Sequence, residues 1–181
     1  RYPPILTMND CSYEKSSLGI TMNYNDVIIR LRYALSLSNQ EIEAIFALGG
    51  QKISQAQLDK ILTKQEDDAK PVQNLSAHDL EAFLNGLVID KRGQRTDKDG
   101  QVVAPTFDMT AADLVNNVAI KKIKIAMSYT SDDIQSLLAL AGAKISNDEL
   151  SAILRRPDHR NYRPAGDRYL RKLLAGMGKK Y

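Results

Sequence analysis

The amino-acid sequence contains two copies of one helical pattern, and this internal duplication constrains the fold more than any other feature. Residues 28–64 align with residues 120–156 at a constant offset of 92, and roughly a third of the aligned positions are identical. At an offset of 90, a second block aligns, which pairs Leu80, Phe83, Leu84 and Gly86 with Leu170, Leu173, Leu174 and Gly176. The apolar residues of both copies recur at helical spacing. The sequence therefore predicts an all-α protein built as a tandem duplication.

Each copy is predicted to contain four helices, about eight in all. They are expected at 25–37, from Ser38, from Ser54 and at 77–91, and again at 112–129, from Thr130, from Ser146 and at 165–177. Ser38, Ser54 and Ser146 each precede Glu or Gln by three residues, which is a capping box, and Asp133 follows Thr130 at the same spacing. Gly49-Gly50 and Gly142 are expected to end the second helices in a left-handed turn. Because a unit of about 65 residues has a limited core alone, we expect the copies to pack together with pseudo-two-fold symmetry.

The predicted organisation has four parts: an irregular N-terminal extension (1–21), a first helical repeat (22–92), a linker (93–111) and a second helical repeat with a basic end (112–181). Pro3 and Pro4 break regular structure in the extension. Met22 lies directly before the first periodic helix, so the extension is expected to be of upstream or cloning origin. Asp99-Gly100 is typical of a tight turn, so the linker is either a short loop or a small hairpin.

The composition excludes several classes of protein and site. The one cysteine, Cys11, and the two histidines, His78 and His159, allow neither an intrachain disulfide nor a multi-cysteine or multi-histidine metal site. No apolar run approaches the length of a membrane span, and no phosphate-binding glycine loop or nucleophile elbow is present. We therefore expect a cytoplasmic protein that is not an enzyme and needs no cofactor or metal.

The charge is distributed unevenly along the chain. The whole chain carries a formal charge of +3, but residues 155–181 hold nine Lys or Arg against two Asp, and the remainder is net negative. A basic end on an acidic body is typical of a surface that meets a polyanion. The alternative is a solvated basic helix whose charge suits the negative end of the helix dipole.

The most distinctive segment is RRPDHRNYRP at 155–164, which replaces a plain acidic stretch in the first copy. Arginines that hold phosphates, beside an aromatic ring that stacks on a base, are a pattern of nucleic-acid sites. Three lysines of the first helix of the second copy are expected to extend this basic face. The candidate nucleic-acid-binding residues are Arg155, Arg156, His159, Arg160, Tyr162, Arg163, Lys121, Lys122 and Lys124.

Three other interpretations of these residues remain open. The segment 155–164 could be only a rigid loop whose arginines pair with Asp158 or Asp167. The pair Asp158-His159 could be catalytic if a pocket gathered it with Asp167 and Tyr162, although no nucleophile accompanies it. The second and third helices of each copy also suggest a helix-turn-helix, with recognition helices at 55–60 and 147–150, but acidic residues open the second of these and the turn is long.

Several separate motifs resemble those of the YehS-like bacterial proteins. They are NDVIIRLRYAL at 25–35, ALG at 47–49, FLNGL at 83–87, KRG at 91–93, NN at 116–117, RPDHRNYR at 156–163 and GD at 166–167. The resemblance extends from about residue 22 to residue 178 and excludes the N-terminal extension. It implies a cytoplasmic bacterial protein made of two copies of a helical domain of unknown function, and it implies no activity, cofactor or catalytic residue.

The sequence thus predicts a binding protein. The first hypothesis is contact with nucleic acid or a nucleoprotein through the basic face of the second repeat. The alternative is a protein-interaction or regulatory adaptor that uses the groove between the repeats or forms a homodimer. Salt distinguishes the two hypotheses, because phosphate binding weakens steeply with ionic strength while an apolar interface does not.

Overall fold

A computed structural model describes residues 23–63 and 75–181, and these residues form an all-α protein. A 3-10 turn at Ala112–Leu114 leads into the fifth of eight α-helices. The helices are α1 (Tyr24–Leu35), α2 (Asn39–Leu48), α3 (Gln55–Leu62), α4 (Ala77–Arg92), α5 (Val115–Ala126), α6 (Ser131–Leu140), α7 (Asn147–Leu154) and α8 (Asp167–Lys180). The predicted fold class is confirmed, while the predicted extension at 1–21 lies outside the described residues.

The helix starts follow the capping signals in the sequence. Ser38, Ser54 and Ser146 form the expected capping boxes, and Thr130 forms one with Asp133. A further box joins Ser76 and Asp79 at the start of α4. Because each box satisfies two backbone N–H groups that the helix leaves unpaired, these short helices begin at defined residues.

Two serines and three glycines lie at the C-terminal ends of α1, α2, α5 and α6. Ser36 and Ser128, at equivalent places in the two copies, adopt φ of 53° and 55° just after α1 and α5. Gly50 and Gly142 have φ of 88° and 76°, so the predicted left-handed turns are confirmed there. Gly49 differs, since its φ of −77° is open to any residue. Glycine fits at position 49 because a Cβ atom there would lie 1.8 Å from the Ala82 carbonyl oxygen.

The two copies pack through reciprocal helix contacts. Within each copy the second helix packs on the fourth, so α2 lies on α4 and α6 lies on α8. Between the copies the first helix of each packs on the fourth of the other, so α1 lies on α8 and α5 lies on α4. The buried apolar residues of both copies form one hydrophobic core. This exchange of partners is the expected pseudo-two-fold arrangement, and neither copy has a separate core.

The contact of the second helix with the fourth uses a glycine in both copies. A Cβ atom on Gly86 would lie 1.7 Å from the Ile45 carbonyl oxygen, and one on Gly176 would lie 2.0 Å from the Leu137 carbonyl oxygen. These two pairs occupy equivalent positions of the duplicated sequence. Because the obstructing atoms belong to the backbone, only glycine allows the helices to approach this closely.

The linker between the copies forms a small hairpin, followed by a segment that bonds to α4. The hairpin has one antiparallel bridge, between Thr96 and Val102. In its turn, the Asp97 carboxylate accepts the N–H groups of Asp99 and Gln101. Beyond it, the backbone N–H groups of Asp108 and Met109 donate to the Glu81 carboxylate at 2.7 and 2.8 Å. Glu81 is 1% exposed and forms an ion pair of 3.1 Å with Lys122. A buried charge pair therefore connects α4, α5 and the linker.

Within residues 23–63 and 75–181, no helix is long and apolar enough to cross a bilayer.

Candidate nucleic-acid interface

The connection between α7 and α8 is a structured loop, which we call the arginine loop (residues 155–166). The His159 N–H donates to the Arg156 carbonyl at 3.0 Å, and the Tyr162 N–H donates to the His159 carbonyl at 2.9 Å, so two turns follow one another. The Asn161 N–H donates to Nδ1 of His159 at 3.1 Å. The Arg163 N–H donates to the Ala152 carbonyl of α7 at 3.2 Å. These bonds give the loop a defined backbone path.

Two buried asparagines at the start of α5 anchor this loop. Asn117 donates through Nδ2 to the carbonyls of Ile153 and Arg163, at 2.9 and 2.8 Å. Its Oδ1 accepts the Ala165 N–H at 2.8 Å. Asn116 donates to the Ala165 carbonyl at 3.1 Å. Because both polar backbone groups of Ala165 are used in this way, α8 begins at Asp167 and not at the predicted residue 165.

The arginine side chains of the loop have few acidic partners. Arg156, Arg160 and Arg163 are exposed, and Arg155 is partly buried with Nη1 3.4 Å from the Asn161 carbonyl oxygen. Arg156 lies 3.4 Å from the Asp158 carboxylate, and these two side chains are 80% and 71% exposed. Among the described residues, no acidic group pairs with the other three arginines. Since an exposed ion pair is weak, the loop presents nearly its full positive charge to solvent.

Tyr162 is less accessible than the exposed candidate residues of the loop. The side chain is half-buried, and its hydroxyl is enclosed with no hydrogen-bond partner among the described residues. Burial raises the pKa of this hydroxyl above its usual range, and the charge of Asp113 raises the pKa further. The Tyr162 ring is only partly accessible to solvent, so its stacking on a nucleic-acid base stays a prediction.

The three candidate lysines of α5 occupy three different environments. Lys121 is exposed one turn beyond Asn117, on the same side of the helix, so it can extend the basic surface. Lys122 corrects the prediction, because it is only 8% exposed and its ammonium group is held by Glu81, Asn85 and the Thr106 carbonyl. Its charge is neutralised in the interior and is not available to a phosphate.

Lys124 belongs to the opposite end of the second repeat. The Thr130 amide and hydroxyl hold the pKa of Asp133 below its usual range, and the charges of Lys180 and Lys124 lower it further. Lys180 lies over the rings of Tyr129 and Tyr181, and Lys179 donates to the Leu140 carbonyl at 3.0 Å. Lys179 and Lys180 lie at the far end of α8, about 20 Å along that helix from the arginine loop, while Lys124 lies two turns beyond Asn117 on α5. The arginine loop and Lys179–Lys180 therefore lie at opposite ends of a basic stretch that also carries Arg168, Arg171 and Lys172 on α8.

The possible catalytic residues make separate contacts. Asp158 pairs with Arg156, His159 accepts from the Asn161 backbone, and Asp167 accepts from Asn116 at 2.8 Å. Across the described ranges, no three His, Cys, Asp or Glu side chains are grouped to hold a metal ion. The contacts shown do not unite these three side chains in one reactive group.

The structure gives little support to the helix-turn-helix interpretation. Asp148 and Glu149 occupy the first turn of α7, where they would repel a phosphate. In α3, Gln57 closes its own capping box, and Gln55 donates to Asp59 at 3.0 Å. The candidate recognition helices thus use much of their hydrogen-bonding capacity internally.

Sequence reasoning missed the asparagine anchors, although the sequence contains a signal for them. Asparagine favours local backbone hydrogen bonds and is unfavourable inside a helix. Two adjacent asparagines therefore stand out in the first turn of α5. They mark a place where side chains bond to a neighbouring backbone segment, but their separation from residues 153, 163 and 165 in the sequence hides which one.

Comparison with known proteins identifies the family of the chain. The model of a family described as "Protein of unknown function (DUF1456)" matches twice, over residues 24–93 and 116–181. The chain is 33% identical over 153 residues to the Escherichia coli (strain K12) protein described as "Uncharacterized protein YehS", an alignment that covers 84% of this chain and 92% of that protein. No solved structure matches the chain. The chain belongs to the DUF1456 family of proteins of unknown function, and it contains two copies of the family's domain.

Proposed function

We propose that this chain is a cytoplasmic, non-enzymatic protein that binds nucleic acid through the arginine loop. Arg155, Arg156, Arg160 and Arg163 contact backbone phosphates, with Lys121 at the edge of the same surface. The observation that carries the proposal is the combination of a loop backbone held by buried asparagines with arginines that have no buried acidic partner among the described residues. Arginine on a fixed backbone suits phosphate, because its planar group forms two parallel hydrogen bonds to phosphate oxygens.

The side chains of this loop favour contact with the nucleic-acid backbone over recognition of bases. Tyr162 is half-buried, and the exposed Tyr and Phe side chains of the described chain lie outside the loop, at Tyr33, Phe107 and Tyr181, which leaves His159 as the exposed ring of the loop. A single imidazole offers less stacking surface than a Tyr or Phe ring, so base stacking is expected to contribute little to single-stranded binding. We therefore expect the binding to be independent of base sequence, to favour duplex over single strands and to depend strongly on salt.

A pair of double variants with equal charge tests this proposal. Fluorescence anisotropy with labelled duplex DNA compares Arg156→Ala/Arg160→Ala with Lys179→Ala/Lys180→Ala, each of which removes two positive charges. The first variant is expected to weaken binding at least about tenfold and to reduce the slope of log K against log salt by about 1.8. The second is expected to change the affinity less than about threefold, because its lysines lie at the other end of α8.

Two results of this experiment would contradict the proposal. Equal losses in the two variants would mean that only net charge matters and that the loop has no special role. No binding of the unchanged protein to duplex DNA, single-stranded DNA or RNA at low salt would remove nucleic acid as the partner, because non-specific phosphate contacts are strongest under that condition.

A second candidate function is a protein-interaction adaptor or homodimer. Apolar side chains are exposed at equivalent positions of the two copies: Tyr33 and Ile125 are 77% and 45% exposed, and Leu48 and Leu140 are 41% and 50% exposed. Symmetric exposure of apolar groups favours a contact surface. Light scattering of the purified protein at high salt tests self-association. An apolar interface persists at high salt, whereas a phosphate site does not require self-association.

A further inference from the structure

We infer that Asn117 is a positioning residue for the arginine loop, and this inference rests on the proposed function. Asn117 is 5% exposed, so it cannot itself contact a polymer on the surface. Its effect on binding would pass through the backbone of the loop that presents the arginines. The inference extends the nucleic-acid site to a buried side chain of a different helix.

The hydrogen bonds of Asn117 fasten the loop at both ends. One amide donor bonds to the Ile153 carbonyl in the last turn of α7, and the other bonds to the Arg163 carbonyl near the far end of the loop. The amide oxygen accepts the Ala165 N–H. A side-chain amide has two donor hydrogens and one acceptor oxygen, and all three groups are used here. Asparagine supplies the two donors and the acceptor on a side chain of this length, whereas aspartate lacks the donors and alanine lacks donors and acceptor alike.

The two copies share a buried asparagine at this position, but they differ in the charge of the segment that corresponds to the arginine loop. Asn25 is the equivalent of Asn117 in the first copy and is also buried, at 2% exposure. The corresponding segment of the first copy is acidic at residues 66–68, and it lies outside the described residues. A buried asparagine is thus common to both copies, while the four arginines belong to the second. The second copy therefore combines a buried asparagine found in both copies with an arginine-rich sequence of its own.

Limited trypsin digestion tests the anchoring role without any ligand. Arg156 and Arg163 precede prolines, which protect those bonds from trypsin, so cleavage at the Arg160–Asn161 bond reports on the freedom of the loop. Asn117→Ala is expected to accelerate this cleavage roughly tenfold under conditions where circular dichroism shows the fold to be intact. Asn117→Asp, which keeps the oxygen and loses the donors, serves as a second variant if Asn117→Ala does not fold.

Asn85→Ala is the matched control for general destabilisation. Asn85 is also buried, at 3% exposure, and its hydrogen bonds go to the Thr106 carbonyl and the Lys122 ammonium group instead of the arginine loop. Cleavage at Arg160 in this variant is expected to stay within about twofold of the unchanged protein. Equal acceleration in Asn85→Ala and Asn117→Ala, or no acceleration in the Asn117 variants, would overturn the anchoring role.

Duplex-DNA binding then tests whether anchoring matters for function. Asn117→Ala is expected to weaken binding at least about fivefold and to lower the salt slope, although every arginine is still present. Faster cleavage with unchanged affinity would overturn the positioning role. If the unchanged protein does not bind DNA, the proposed function fails and the positioning role for binding fails with it, while the trypsin result still decides whether Asn117 anchors the loop.

Discussion

Replacement of Gly176 by alanine is expected to destabilise the protein by about 3 kcal/mol or more. The new Cβ atom would lie 2.0 Å from the Leu137 carbonyl oxygen and 2.7 Å from its carbon. Backbone atoms cannot rotate away as a side chain can, so α6 and α8 must separate along a face that contributes to the core. Chemical denaturation of the two proteins, followed by circular dichroism at 222 nm, measures the difference in the free energy of unfolding.

Gly178 provides a control two residues further along the same helix. Its Cβ atom would lie 3.4 Å from the side chain of Tyr33, which is van der Waals contact with an exposed residue. Gly178→Ala is therefore expected to stabilise the protein by up to about 1 kcal/mol, because alanine has the higher helix propensity. Equal effects of the two substitutions would show that helix propensity outweighs the close contact, and the packing described for α6 and α8 would be wrong.

Replacement of Lys122 by methionine is expected to cost about 3 to 5 kcal/mol of stability. Methionine keeps the length of the side chain but removes the ammonium group that bonds to Glu81, Asn85 and the Thr106 carbonyl. The Glu81 carboxylate then stays buried with only the backbone N–H groups of the linker as donors. Thermal and denaturant-induced unfolding measure this loss.

Lys121→Met is the matched control for this substitution, since Lys121 is the exposed neighbour on the same helix. It is expected to change stability by less than about 0.5 kcal/mol. Addition of Glu81→Gln to Lys122→Met is expected to recover part of the loss, because the double variant no longer buries an unpaired charge. A loss below 1 kcal/mol in Lys122→Met would contradict the buried ion pair and would return Lys122 to the candidate surface.

The duplicated sequence was sufficient to predict the helices, because capping residues and apolar spacing act within a few residues of one another. Thr130 with Asp133 and Ser54 with Gln57 show this directly, since each box forms as its sequence spacing indicates. The bounds differ where Ser36 and Ser128 adopt left-handed conformations just after α1 and α5, and also where a distant group intervenes. The apolar spacing predicts a helix from about Ala165, but Asn116 and Asn117 bond to the Ala165 backbone and α8 begins at Asp167.

The candidate site was harder to predict than the fold, because exposure depends on which helices meet. Lys122 lies beside Lys121 in the sequence, yet α5 turns the first toward Glu81 of α4 and the second toward solvent. A count of charges could not separate the arginine loop from Lys179 and Lys180, since α8 places them at opposite ends. The contact of α4 with α5 across the two copies is a property of the whole fold, and no local pattern encodes it.

The most direct test of the arginine loop as a nucleic-acid site is a two-dimensional ¹⁵N–¹H NMR titration of the protein with a short DNA duplex. The proposed function predicts shift changes at the backbone amides of residues 155–163 and at the arginine side-chain signals, with smaller changes at Lys121. These changes should disappear as salt is raised, because they depend on phosphate contacts. Shifts centred on Lys179 and Lys180, or no shifts at low salt, would contradict the assignment of this loop as the nucleic-acid site.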